Sequence, residues 1–465
     1  MARPQVPLIL PAESQVRELD PKLLLACVAA ERGFTVYFGS RLRVHFAVAS
    51  FPRGIFLSKS MTARSTRMFG ILERLGHQIV SWDEEALVHL GPYHYYARRL
   101  DPGTFAQLAF LFAWGEENAE MFRKWPQYPG TPIHVTGNPR GDMLRPELRP
   151  FFDDETRSLR DRFGDFILVN TNFAMVNAFL SKQNLLQPAS APGAKGGTGV
   201  YAVGLEREFT EGFAAHKTAV FRAFQKLIPF LEESFPDHTI IVRPHPVESW
   251  KVWNDLARGR RNVQVLHEGN VIPWLRACRA VIHNGCTTGV EAYALGVPAI
   301  AYRPVTSERF DFHLPNTLSH ECHALEPLRA ILDDILRGVL GSPQTAERQA
   351  LLDHHLSAQS GRFASERLVD VLEQSDAARI GLPRPPFARR ARGWLDANRR
   401  SFMRRYVKSL IPGNRSNPAY QEQRFPGVSQ EELTARIARL GRVVGRFESV
   451  RAVELSRDVF RIEAR

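Results

Sequence analysis

The chain has little cysteine: four residues in 465, Cys27, Cys278, Cys286 and Cys322, with no CxxC spacing. That argues against a disulfide framework and a thiolate metal site, and reads as reduced thiols in a reducing compartment. No uninterrupted apolar run approaches the ~20 residues a membrane-spanning helix needs, and the apolar stretch in MARPQVPLILPAE is too short for a secretory signal, so a cytoplasmic protein is expected. Internal repeats, a GxGxxG turn and a Walker-type loop are also missing, which removes support for hydride transfer and for P-loop nucleotide hydrolysis. No metal site is expected.

What remains is an ordinary globular balance, 44% hydrophobic and 24% charged, in a chain longer than one hydrophobic core normally serves. Strand-like runs at 6–10, 34–38, 54–57, 77–81 and 108–113 alternate with helix-length stretches such as 21–32 and 66–76, the pattern of a parallel sheet wrapped by helices. The turn formers of TGNPRGD, 136–142, mark an interdomain linker. A second series follows at 166–170, 240–243, 263–266, 280–283 and 299–302. Inside it, the Gly/Ala/Pro/Ser-rich stretch 181–204 reads either as a lid over a ligand or as an unstructured insertion.

The segment AVIHNGCTTGVEAYALGVPAIAYRP, 280–304, packs strand, small-residue turn, helix and strand into one unit. A helix starting near Thr287 exposes unpaired N–H groups and the positive end of its dipole to a phosphate, with the Thr287 and Thr288 hydroxyls as further donors. Asn284 and Gly285 allow close approach of the backbone, and Glu291 lies one turn in. A plain strand-to-helix turn capped by Thr gives the same pattern. Upstream, HTIIVRPHP, 238–246, is a β-branched strand ending in Arg243, His245 and Pro246. Ligands of open α/β sheets gather at the carboxyl ends of strands, so this end, the 287 turn and the end of the 166–170 strand with Asn170 and Asn172 share one crevice. An Arg fork and a His N–H suit a phosphate.

These residues resemble the GT-B glycosyltransferases that use CMP-activated acidic sugars, the bacterial sialyltransferases and capsule Kdo transferases. His245-Pro246 and Thr287-Thr288 match that family's His-Pro motif and Ser/Thr pair in order and in context. The nearest counterpart of its acidic N-terminal motif is Asp83-Glu84-Glu85, with Ala86 where the family has glycine. Over roughly residues 5–330 the chain is also similar to the proteins loosely called surface carbohydrate biosynthesis proteins, through LILPAESQVRELD, TGNPRGD and 280–304.

The resemblance implies an α/β, GT-B-like fold: two Rossmann-like lobes with parallel sheets facing a central cleft, plus a basic helical C-terminal extension. The expected bounds are 1–145 for the acceptor-side lobe, 146–375 for the nucleotide-sugar lobe and 376–465 for the extension. It implies a metal-independent glycosyltransferase of surface polysaccharide biosynthesis, moving a sugar from a CMP-linked donor to a glycan or lipid-linked acceptor. No cofactor is expected beyond that donor, which is a substrate. Arg243, His245, Thr287 and Thr288 would stabilise charge on the leaving phosphate, and Glu291 would bind the ribose hydroxyls. The base or nucleophile would be Glu13, Glu84 or Glu85, with Arg17 holding an anionic acceptor or the donor's carboxylate. Glu18 and Asp20 read as charges of the first turn of the helix at Pro21.

Three other readings stay open: a CDP-glycerol-type polyol-phosphate transferase, a UDP-sugar 2-epimerase, and a non-catalytic membrane-associated scaffold. The net charge of +12 is concentrated between Arg384 and Lys408, where nine basic residues oppose only Asp396 among Trp394, Phe402 and Tyr406. Residues 384–410 therefore read as a surface for an anionic membrane, or as a helix whose apolar face packs on the lobes. No nucleic-acid-binding motif accompanies the charge.

Overall fold

The computed structural model describes residues 6–188, 196–411 and 414–465. The chain divides into two compact units, one made of Met1–Leu87, Arg99–Phe151 and Asp353–Arg465, the other of Val88–Arg98 and Phe152–Leu352. The first carries β1 (Leu8–Ala12), β2 (Val36–Ser40), β3 (Ile55–Ser58), β4 (Gln78–Ser81), β5 (Leu108–Ala113) and β6 (Ile133–Val135). The second carries β7 (Phe166–Asn170), β8 (Thr239–Arg243), β9 (Val263–Val265), β10 (Ala280–His283), β11 (Ala299–Tyr302) and β12 (His320–Cys322). The chain then returns to the first unit for β13 (Val450–Ser456) and β14 (Val459–Ala464).

In the first sheet the order is β13-β14-β2-β1-β3-β4-β5-β6. Strands β1 to β6 pair in parallel, and the C-terminal hairpin adds antiparallel to β2, with Phe460 opposite Phe38. The second sheet, β12-β11-β10-β7-β8-β9, is parallel throughout. Its central strands are continuous apolar runs because both faces are covered. Ile167, Val169, Ile240 and Ile282 pack with Phe224, Leu227 and Leu231 of the Arg207–Ser234 helix in one core. Each unit is thus Rossmann-like, as expected.

The units do not break where the sequence suggested. Residues 353–375 belong to the first unit, and the expected extension finishes that unit's sheet with a hairpin. TGNPRGD is no linker: it lies inside the first unit, and the buried Asp142 carboxylate accepts the amides of Ala364 and Ser365 (2.7 and 2.8 Å) and the Ser365 hydroxyl (2.7 Å), capping the Ala364–Gln374 helix. The helix expected at Pro21 starts at Gln15, because Glu18 takes the amide of Glu13 (2.8 Å) and Pro21 is tolerated within it. The tip of the expected lid, 189–195, lies outside the described residues. Its flanks are tied down, with Gly199 N–H donating to Leu185 O (2.9 Å) and Leu185 buried beside Phe209, Phe213 and Phe312.

The basic Phe387–Phe402 helix packs on the Thr66–Leu75 helix through small residues. A methyl at Gly393 would stand 2.9 Å from Arg74 Cβ, Ala397 is buried, and Arg74 pairs with Asp396 (3.0 Å). Its large apolar side chains stay outside: Trp394 is 53% exposed, Phe402 59% and Leu410, just beyond it, 79%.

Candidate active site

The register of the second sheet places three expected polar ends at one level, since Asn170 on β7 pairs with Arg243 on β8 and with His283 on β10. Asn170 Nδ2 donates to Thr288 Oγ1 across 3.0 Å, and Asn284 Nδ2 donates to the carbonyl of Asn172 (3.2 Å). Asn170, Asn172, Asn284, Gly285, Thr287 and Thr288 are therefore one cluster around the first turn of the Thr287–Leu295 helix. Gly285 bends the chain there with φ of +76°, a left-handed conformation that glycine adopts at no steric cost. Gly296, also left-handed, ends the helix.

His283 sets the turn. Its Nδ1 accepts from Gly285 N–H (3.1 Å), so its proton sits on Nε2 and meets Ser319 Oγ (2.9 Å), which donates to Pro315 O (2.8 Å). Burial lowers its pKa to about 4, which keeps it neutral. Gly289 lies against this ring: a methyl there would stand 2.6 Å from His283 Nε2.

Arg243 is engaged by the loop after β9. Its Nη1 meets His267 Nδ1 (3.2 Å) and its Nη2 donates to Glu268 O and Gly269 O (3.2 and 2.6 Å), so the fork clamps the loop after β9 and leaves only buried Nε without a partner. Burial brings its pKa down to about 10, Glu291 and Glu268 opposing. His245 Nδ1 accepts from Val247 N–H (3.4 Å), which assigns its proton to Nε2. Pro246 beside it is buried, as is Glu291.

Two residues escaped the sequence. Glu248, fully buried, gathers Thr171 Oγ1, Phe173 N–H and Trp253 Nε1 (3.0, 3.0 and 2.7 Å) and so ties the loop after β7 to the loop that carries His245. Lys217, on the Arg207–Ser234 helix, is buried with its ammonium 4.5 Å from the Phe312 ring centre. It lines a small cavity with Asn284 and Asn316, whose side-chain oxygens are buried without partners. Burial lowers its pKa to about 8 against the pull of Asp311, and Asp311 is itself engaged by His216 (3.0 Å) and Arg303 (2.7 Å). Along the same helix opens a cavity of about 410 Å³ lined by Tyr93, His94, Glu206, Phe209 and Arg309.

In the first unit the three expected carboxylates are all tied down. Glu13 pairs with Lys59 (2.5 Å), Arg424 (3.0 Å) and Arg41 (3.2 Å); burial alone would raise its pKa, yet these cations hold it well below the usual range. Glu84, buried, accepts from Trp82 Nε1 (2.7 Å) and faces Lys22 (3.7 Å). Glu85 pairs with Arg17 (2.8 Å); against burial, Arg17 and Lys59 bring its pKa to about 2. The side chain of Glu85 is 42% exposed, against 22% for Glu13 and 1% for Glu84, so Glu85 is the most accessible. Glu18 accepts the amides of Glu13 and Ser14 besides pairing with Lys22 (2.8 Å) and Lys59 (3.2 Å), and Asp20 meets Arg436 (2.6 Å); both are structural.

No family model and no curated protein matches the chain. Solved structures do. The wall teichoic acid polymerase TagF soaked with CDPG superposes with a TM-score of 0.51 over 80% of this chain and 89% of that one, at 9% identity. The fold is GT-B-like. TagF without the soak gives 0.50 over 79% and 88%, at 10% identity. The UDP-GlcNAc 2-epimerase of Methanocaldococcus jannaschii, in complex with UDP-GlcNAc and UDP, gives 0.47 over 79% and 99%, at 12% identity. Among the described residues, no helix is long and apolar enough to cross a membrane.

Proposed function

We propose that the protein is a glycosyltransferase of surface polysaccharide assembly, taking a sugar from a nucleotide-activated donor, CMP-linked and acidic, held by the second unit. The observation that carries this reading is the cluster at the start of the Thr287–Leu295 helix, where buried Lys217 and unpartnered amide oxygens lie beside the positive end of the helix dipole. Such a set binds one phosphate and several hydroxyls. The positive end of the helix dipole, the Lys217 ammonium and the Nε2–H of His245 would take up the charge that grows on the leaving phosphate. Asn170, Asn284 and Glu291 would accept from ribose hydroxyls. Arg243 and Glu248 would act as positioning residues through the loops they hold. In the transfer, the acceptor oxygen bonds to the anomeric carbon as the bond from that carbon to the phosphate oxygen breaks. The nucleotide leaves, and the acceptor proton passes to a carboxylate, for which Glu85 has the best access.

A polyol-phosphate transfer reading is favoured by one observation, the likeness in fold to TagF soaked with CDPG. It differs in which bond breaks, so label on the donor phosphate reaches the product only in that case.

The exposed side chains Trp394, Phe402, Tyr406 and Leu410, set among arginines, support an anionic membrane surface as the partner of 384–410 and hence a lipid-linked acceptor at a cytoplasmic leaflet. Thermal unfolding with CMP, CDP, UDP and UDP-N-acetylglucosamine tests the donor assignment. Selective stabilisation by CMP supports the acidic-sugar reading, preference for CDP moves the assignment to polyol phosphate, and no shift with any nucleotide ends it.

A further inference from the structure

The first unit gathers more positive than negative charge, half-buried, at the carboxyl end of β2. Arg41 opens the short Arg41–Ala47 helix there, with His45 one turn on and buried. The Phe387–Phe402 helix packs on this short helix, and Arg400 at its end and Arg404, from the π-helical turn Met403–Val407, lie close enough to act on His45 together with Arg41. Turns of that kind are frequent at functional sites.

Among the described residues, anions in reach are few. Glu13 is the carboxylate that faces this group, and it is already shared among Lys59, Arg424 and one nitrogen of Arg41. Arg404 Nε donates to Ser416 Oγ (3.0 Å), a neutral partner. Arg400 Nη1 is enclosed and has no hydrogen-bond partner. Burial, then the charges of Arg404, Arg41 and Arg67, brings the pKa of Arg400 down to about 9; burial and Arg41 bring that of Arg404 to about 10, with Glu13 opposing. His45 is held well below its usual range by burial and by Arg41, Arg400 and Arg404. Three guanidinium groups with one shared carboxylate, one neutral partner and one enclosed nitrogen without any partner are better satisfied when an anion binds among them.

We propose that Arg41, Arg400 and Arg404 form a binding site for a phosphate or diphosphate group carried by the acceptor. Three planar forks suit a dense, multi-oxygen anion better than a single carboxylate. Phe402, Met403 and Tyr406, exposed on the same stretch of chain, place apolar side chains next to it, as an amphiphile with a phosphate head requires. The inference deepens the acceptor side of the proposed transferase. Its test is run without donor, so it succeeds or fails independently of the nucleotide assignment.

The experiment is calorimetric titration of the full chain with inorganic pyrophosphate, beside Arg400→Gln and Arg404→Gln, with ligand-free melting curves of all three proteins. Saturable binding by the parent chain is expected, weakened about tenfold or more in each variant, as loss of a charged hydrogen bond implies. The ligand-free variants should melt at the same temperature or higher, because each relieves repulsion. A lower melting temperature would show instead that the arginines hold the fold together and would overturn the proposal. So would undetectable pyrophosphate binding, or equal binding by parent and variants. Vesicles of phosphatidylcholine with either phosphatidic acid or phosphatidylglycerol locate the phosphate: preference for phosphatidic acid, lost in Arg400→Gln, supports a lipid-borne group, and pyrophosphate binding without that preference supports a soluble one.

Discussion

Asn170 and Thr288, 118 residues apart in sequence, meet through a single amide-to-hydroxyl hydrogen bond of 3.0 Å that fixes the end of β7 to the first turn of the helix after β10. Both groups are buried. Thr288→Val would keep the shape and leave the Asn170 amide unpaired, at a cost of about 1–3 kcal/mol. Chemical denaturation should read that loss, and the stabilisation by nucleotide should fall with it. Unchanged nucleotide affinity in this variant would separate the hydrogen bond from the binding site.

Gly289 offers a steric test of the same corner. Alanine there would press its methyl on the His283 ring, which is locked by Gly285 and Ser319 and cannot swing away. Overpacking of this kind costs about 1–3 kcal/mol. Gly289→Ala should unfold at lower denaturant, whereas Gly296→Ala, at an open helix end, should lose only the cost of its left-handed backbone.

Lys217 predicts a pH dependence with a definite sign. Its pKa near 8 makes it a cation below that pH and mostly neutral above it. If it holds the donor phosphate, affinity is level at pH 6–7 and declines as pH rises through 8, by up to tenfold per unit for one proton. Lys217→Arg should keep its affinity at high pH, and Lys217→Met should bind weakly with no inflection near 8. Stability moves the other way: between 8 and the unfolded value of 10.5 the unfolded chain binds more protons, so this group's contribution rises with pH.

Asp142 titrates with the opposite consequence for stability. Burial raises its pKa to about 6 despite the bonds from Ser365 and Ala364. Because the folded chain then holds the proton to higher pH than the unfolded one, stability should fall from about pH 4 to pH 6, by at most about 1.4 kcal/mol per unit. Asp142→Asn removes the slope, and it weakens the cap by roughly 1–3 kcal/mol. Melting curves at pH 4, 5, 6 and 7 for both proteins would read the two effects separately.

Asp142 also shows what the sequence conceals. Thr, Gly, Asn and Pro in TGNPRGD announce a turn correctly, but the partner that makes the turn internal, the 364–374 helix, lies more than two hundred residues on. The same holds for Glu13, whose cation Arg424 is 411 residues away. Lys217 sits in an amphipathic helix, where a lysine reads as surface until Phe213 and Phe312 are seen to cover it. What was legible is local. Strands covered on both faces are unbroken apolar runs, as in 166–169 and 280–282, and the strand-to-helix corner is written in consecutive residues, 283–288, its helix closed by Gly296. The hairpin of β13 and β14 was missed because its pairing with β2 spans the whole chain.

The basic helix yields a prediction in which two physical terms can be told apart. Its inner face, Gly393 and Ala397, is committed to the 66–75 helix, while Trp394, Phe402, Tyr406 and Leu410 face solvent. If this surface lies on an anionic bilayer, each arginine near the headgroups adds about 1 kcal/mol at low salt, and that part fades within a Debye length as salt rises. The apolar part does not. Flotation of the intact protein with phosphatidylglycerol vesicles should therefore be strong at low salt and reduced at high salt. The triple variant Trp394→Ser, Phe402→Ser, Leu410→Ser should lose the salt-resistant remainder and keep the salt-sensitive part, with nucleotide stabilisation unaltered. No flotation by the parent chain at physiological salt would mean that these exposed apolar side chains serve another partner.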